Sequence, residues 1–356
     1  MIYALNILHF KITWDLILGT IRILRHHISI LQSRAWADRT CKSLNTEKRA
    51  LMEFLELADI QFLPLSGDDL LLFAGWLMVV RRLKAPRSIR IYLSGVRTIH
   101  RRLGIDCHTP STYGPLDQLI KGFERESPHR VKKALPITPS ILANLLDSQP
   151  LNPHCPIQHR ILTTYKALTL LLFQSMSRSS NMVPESRTKY DLRYLLKWGD
   201  IKVLDDGIII HVAMSKTNQF GTKEHDIPIA LSSNPKFCPL STLVGLARMY
   251  GPQYLTPDTP IFLVPSPSGG FVPLQKAEYV GWLKARLSQM DLPAGRYGVH
   301  SFRHGAVQEA VLHENNRLLI QLASGHSSDA ILGYSLIPPE RRFHLSKKIN
   351  AALAKL

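Results

Sequence analysis

One stretch, residues 190 to 231, departs from the pattern of everything around it. On either side apolar residues recur at helical spacing. Here LRYLLKWGDIKVLDDGIIIHVAMSKTNQFGTKEHDIPIAL carries an apolar, β-branched run at 208–212 and a second one ending in IPIAL, with polar SKTNQFGTK between them. Short β-branched runs bounded by turn-forming residues predict strands. We therefore expect a three-stranded antiparallel sheet whose last hairpin carries Lys216 near its tip. A single small sheet inside a helical chain restricts the fold to a mainly α, α+β class.

The 356 residues suffice for two domains with separate cores. Residues 1–33 read as an N-terminal helix or extension. Lys11, Asp15, Arg22 and Arg25 interrupt its apolar character, so no run reaches the ~20 residues that span a bilayer. A secretory leader is not expected either, because a basic start and a small-residue cleavage site are missing. Residues 34–125 read as a helical domain. SLNTEKRALMEFLELADI sets Leu51, Phe54, Leu55 and Ala58 on one face. Ser66 and Asp69 resemble a capping box ahead of DDLLLFAGWLMVVRRL, a helix apolar nearly all round and expected to be central. Ser88 is expected to cap SIRIYLSGVRTIHRRLGI, with Ile91, Val96, Ile99 and Leu103 inward and Gly104 as the stop, and PLDQLIKGFERES follows. Residues 126–137, rich in Pro and basic side chains, form the expected linker. The second domain is expected at 138–345, starting with TPSILANLLDS and a buried helix HRILTTYKALTLLLFQSMSR that ends at Arg178. After the sheet and a Pro- and Gly-rich loop at 264–273, helices return. A basic amphipathic helix is expected from Arg341, with 346–356 as tail.

Charge narrows the partners. Forty-four Lys and Arg against 27 Asp and Glu leave a formal charge of +17, spread along most of the chain. Such an excess favours nucleic acid, where neutralising phosphates releases counterions. Arg81, Arg82, Arg87, Arg90, Arg97, Arg101 and Arg102 are the candidate phosphate contacts of the helical domain, and the alternative for each is a solvated face. The four cysteines stand alone without metal-ligand spacing, which fits a reducing compartment.

The chemistry-bearing residues cluster late, in VHSFRHGAVQEAVLHENNRLLIQLASGHSSDAILGYS. His300, Arg303 and His326 are followed by Tyr334, eight residues after His326. HSFRH matches a His-x-x-Arg box and SGHSSDAILGY a Gly-His…Tyr end. SMSRSSNMVP supplies an arginine, Arg178, in an Arg-x-Ser-Asn-x-x-Pro form, and SKTNQ a hairpin lysine, Lys216. On these motifs, from about Arg34 to Lys348, the chain resembles the tyrosine recombinases of the phage-integrase type. The eight-residue step and Asn181, in place of the bacterial members' acid, make it similar to the eukaryotic transposon (Crypton and DIRS) members.

The resemblance implies a catalytic domain preceded by a helical, SAM-like core-binding domain, the two forming a clamp on double-stranded DNA. It implies a synaptic homotetramer in which a segment such as 342–356 docks on a neighbour. Six catalytic positions are filled: Arg178, Lys216, His300, Arg303, His326 and Tyr334. The two guanidiniums would clamp nonbridging phosphate oxygens and Tyr334 would attack. His300 would take the phenolic proton, Lys216 would protonate the leaving 5′-oxygen, and His326 would donate to a phosphate oxygen. Lys223 is the alternative lysine, and His304 a supporting residue. No cofactor is expected, since phosphate-bond energy is kept in a 3′-phosphotyrosyl adduct. The resemblance implies DNA integration for a mobile element, in the nucleus if eukaryotic and in the nucleoid or cytoplasm if bacterial. A type IB topoisomerase and a catalytically silent DNA-binding protein are the alternatives.

Overall fold

The computed structural model describes residues 38–60, 63–126, 134–215, 218, 221–222, 225–313, 316–324 and 339–355. The expected N-terminal extension, residues 1–33, lies outside them. The chain divides between residues 131 and 132 into two compact units.

The first unit is built from α1 (Asp38–Ala58), α2 (Gly67–Val79), α3 (Pro86–Arg102) and α4 (Gly114–Glu126). Its core holds Leu51, Phe54, Leu55, Phe73, Trp76, Ile89, Val96, Leu116 and Ile120. Ser66 caps α2 as expected. Its side chain accepts from the Asp69 N–H, and the Asp69 carboxylate accepts from the Ser66 N–H. The same helix is less central than its composition implies. Leu70, Phe73, Ala74 and Leu77 are buried, but Leu72 and Val79 remain 59% and 75% exposed.

The register of α3 differs from the expected one. The helix begins at Pro86, whose missing N–H costs nothing in a first turn, and not at a Ser88 cap. Ile89, Leu93, Val96 and His100 face the core, while Ile91 and Leu103 are exposed. His100 decides this register. Its Nδ1 lies 2.9 Å from the Val96 carbonyl and its Nε2 accepts from the Leu65 N–H at 3.2 Å, so a histidine takes a core position that hydrophobicity alone gives to its neighbours. Gly104 ends the helix at φ +71°, as expected.

The second unit is organised on α6 (Pro156–Gln174), whose C-terminal half, from Ala167 onward, is buried on all sides. Around it pack α5 (Pro139–Leu146), α7 (Pro239–Tyr250) and α9 (His300–His313). The expected three-stranded antiparallel sheet is present as β1 (Ile201–Leu204), β2 (Gly207–His211) and β3 (Asp226–Ala230), in that order. Ile208 pairs with Ile229 and Ile210 with Ile227, and all four are buried, as period-two alternation requires. The Pro- and Gly-rich loop holds a second hairpin, β4 (Leu263–Pro265) and β5 (Phe271–Pro273), which had not been expected. Gly269 and Gly270, at φ +91° and +70°, make its turn. The helices α8 (Lys276–Gln289), α10 (Arg317–Ser324) and α11 (Pro339–Leu353) complete the unit.

Two boundaries move. Ala134 to Ile137, assigned to the linker by composition, are built into the second unit. The Leu135 N–H donates to the Arg296 carbonyl at 2.8 Å and the Ile137 N–H to the Ser301 carbonyl at 2.9 Å. The segment from 346 is the continuation of α11 through Leu353, not a tail. Phe343, Leu345, Ile349 and Leu353 are buried, and Ser346 and Asn350 satisfy both backbone groups of Ala230 on β3, at 2.7 and 2.6 Å. The segment 342–356, which the resemblance would dock on a neighbour, thus packs these apolar residues within its own chain. Among the described residues no helix is long and apolar enough to cross a membrane, and no cluster of three or more His, Cys, Asp or Glu could hold a metal ion.

Candidate active site

Arg178 reaches its position through a local bend. The long helix α6 stops at Gln174, with Ser175 as its C-cap, and Met176 turns the chain in the left-handed region at φ +52°. A non-glycine residue there carries strain and marks functional turns. Arg178 follows in extended backbone, φ −78° and ψ 139°, as the residue before the short 3-10 turn Ser179–Asn181. It is therefore not the last residue of the helix, as its apolar run implied.

His300 and Arg303 lie on the first turn of α9, three residues apart and so on one face. The turn is fixed by the Ser301 side chain, which accepts from the Gly298 N–H at 3.1 Å. Arg303 is only 4% exposed. Its Nη1 donates to the Met176 carbonyl at 2.9 Å, so the strained bend ahead of Arg178 also holds Arg303. Among the described residues its buried Nη2 has no hydrogen-bond partner. A buried guanidinium with an unused donor is costly unless an anion completes it.

The electrostatics agree. Burial, and then the nearby Arg178 charge, pull the Arg303 pKa down to about 10, so it stays cationic at neutral pH. Burial also lowers that of Arg178. His300 falls below its usual value of 6.5, through desolvation first and then the electrostatic influence of nearby Arg303, His304 and Arg178. The pocket thus combines two cations crowded together with an imidazole held neutral at pH 7. That pairing can bind a phosphodiester and accept a proton beside it.

His304 is exposed, with its Nδ1 3.2 Å from the Ala134 carbonyl, a main-chain contact. Next to it, Gly305 lets the chain pass. An added Cβ would lie 1.7 Å from the Ile137 carbonyl oxygen. The structure thus brings together Arg178, His300 and Arg303. Lys216, its alternative Lys223, His326 and Tyr334 lie outside the described residues. The hairpin leading to Lys216 is described as far as Ser215, which exchanges backbone hydrogen bonds with Asn218 at 3.1 and 3.0 Å. Sequence reasoning missed the Met176 carbonyl, because a backbone acceptor leaves no signal in residue type.

In the first unit, Arg87, Arg90, Arg97 and Arg101 share the outer face of α3, opposite Ile89, Leu93, Val96 and His100. Arg90 is already paired with Glu124 at 2.9 Å. Arg81 pairs with Glu53 at 2.7 Å and lies over the Trp76 ring. Arg102, the last residue of α3, and Arg82, three residues past the end of α2, are exposed. Arg97 and Arg90 border a groove of about 670 Å³ that also takes in Ser94, His108, Thr109 and Ser111.

No protein-family profile matches the chain, and no curated protein sequence does. Solved structures do match. The Tn1549 transposon integrase in complex with transposon right end DNA aligns at 14% identity over 92% of this chain and 97% of that one, with a TM-score of 0.52. The same integrase with circular intermediate DNA aligns at 14% identity over 86% of this chain and 92% of that one, with a TM-score of 0.50. A XerH site-specific recombinase bound to a palindromic difH substrate aligns at 16% identity over 81% and 72%, at 0.49. The fold is that of the tyrosine recombinases and integrases, as the motifs implied.

Proposed function

We propose that the protein is a site-specific DNA recombinase that cuts and rejoins duplex DNA through a covalent 3′-phosphotyrosyl intermediate, serving integration of a mobile element. The observation that carries this reading is the unpartnered, buried Nη2 of Arg303 beside a second guanidinium and a neutral imidazole. Further support comes from the integrases of like fold, whose structures contain transposon-end and circular-intermediate DNA.

In the proposed step the Tyr334 oxygen attacks the scissile phosphorus and its proton passes to His300. The bond from phosphorus to the 5′-oxygen breaks, and Lys216 protonates that oxygen. Arg178 and Arg303 neutralise the nonbridging oxygens, where charge develops, and His326 donates to one of them. A 5′-hydroxyl from a partner strand reverses the sequence. Bond energy is conserved in the adduct, so the reaction consumes no ATP and needs no metal ion. Strand exchange joins two duplexes, for which we propose a homotetramer.

The test is a nicked duplex taken from the DNA that borders the gene, incubated with the protein in EDTA. A denaturation-resistant adduct is expected with the natural protein and none with Tyr334→Phe, which should still bind. An undiminished adduct with Tyr334→Phe would sink the reading. Relaxation of supercoiled plasmid without site preference or strand exchange would favour a topoisomerase instead.

A further inference from the structure

We infer that Asn181 is a positioning residue that fastens the turn carrying Arg178 to the hairpin arm leading to Lys216, and so sets leaving-group protonation. The inference rests on the reading of Lys216 as general acid.

Asn181 is 7% exposed and ends the 3-10 turn that follows Arg178. Its backbone N–H donates to the Arg178 carbonyl at 2.9 Å, and its own carbonyl accepts from the Leu196 N–H at 2.8 Å. Its side-chain Nδ2 donates to the Met214 carbonyl at 2.7 Å and to the Tyr194 carbonyl at 3.3 Å. One residue therefore joins three segments: the arginine turn, the approach to β1, and the arm beyond β2. Met214 lies two residues before Lys216. The described β2–β3 pairing runs as far as Val212, whose N–H donates to the His225 carbonyl at 2.9 Å. The Asn181 amide thus holds the arm at Met214, two residues beyond that bond.

The chemistry of the seam requires an amide. Both acceptors are carbonyl oxygens, so the group facing them must donate twice, which Asn does and a carboxylate cannot. An ionised Asp of the same shape would set negative oxygens against two carbonyls. The gap lined by Asn181, Ser177, Tyr194 and Met214 is about 10 Å³, at the lower limit for one water, so the amide meets these carbonyls with little solvent between. This explains why an amide stands three residues after the arginine, where bacterial relatives of the motif carry an acid.

The experiment compares the natural protein, Asn181→Asp, Asn181→Ala and Lys216→Ala on two nicked duplexes from the DNA bordering the gene. One has a normal scissile phosphate, the other a 5′-bridging phosphorothiolate whose thiolate leaves without a proton. A positioned general acid is worth roughly 10²–10⁴-fold, so both Asn181 variants should lose at least about 10-fold on the oxygen substrate. On the phosphorothiolate they should recover the natural rate, as Lys216→Ala does. Circular dichroism identifies a variant that has not folded, and the second variant then carries the test. Equal losses on both substrates, or no loss on either, would overturn the positioning role. If Lys216→Ala is not rescued, or the natural protein cleaves neither duplex, the reading of Lys216 or of the whole site fails instead.

Discussion

Arg303 carries more of the site's logic than its neighbours, because three facts meet in one side chain. It is buried, one of its nitrogens is spent on the Met176 carbonyl, and another has no hydrogen-bond partner among the described residues. Arg303→Lys keeps the charge but loses the fork, so it cannot bond Met176 and a phosphate together. Both Arg303→Lys and Arg303→Ala should lower adduct formation by about 10²–10³-fold, the usual worth of one donor aimed at developing charge. Single-turnover cleavage measures this, and a change under threefold for Arg303→Lys would contradict it. His300 gives a second prediction. Its folded pKa is lowered, so the base-competent neutral form persists below pH 6.5 and is lost only as pH falls through that depressed value. The acid limb of kcat/KM, which reports the free protein, should therefore lie below 6.5. A limb at or above the ordinary histidine value would deny His300 the role of base.

Most elements were legible in the sequence, and their edges were less so. Helical periodicity located the helices of both units, and the change of period found the three-stranded sheet. What failed had physical causes. The α3 register depended on a histidine buried by two backbone bonds, which hydrophobicity cannot rank. The end of α6 depended on a left-handed Met176 that a run of apolar residues conceals. The β4–β5 hairpin is only three residues per strand, with prolines at its ends, and its composition reads as loop. The motif arginines and His300 were legible because the chemistry fixes their types, whereas the carbonyl partners of Arg303 and Asn181 were not. Gly305 gives the element-scale prediction. Gly305→Ala must displace the Ile137 backbone from α9, an overpacking that costs about 1–3 kcal/mol, or roughly 2–12 °C in thermal midpoint. An unchanged midpoint would contradict the close contact.

At the scale of the whole molecule, the proposed function divides the charge of +17 between solvated surface and DNA contacts. Pairing suggests the division. Arg81 and Arg90 already have carboxylate partners, whereas Arg87, Arg97 and Arg101 lie on the same open face of α3. On duplex DNA, Arg97→Ala should reduce the salt dependence of binding by about one counterion, and Arg81→Ala by much less. Equal slopes for both variants would argue against α3 as the contact face. The proposed homotetramer would have to accommodate a C-terminal helix whose apolar side is already occupied in its own chain. The central claim, attack by Tyr334 in a pocket built from Arg178, His300 and Arg303, is tested most directly by mapping the covalent bond. The adduct formed on a nicked duplex would be digested with nuclease and protease and the nucleotide-bearing peptide sequenced by tandem mass spectrometry. The account predicts a 3′-phosphonucleotide on Tyr334; a nucleotide on any other residue would contradict it.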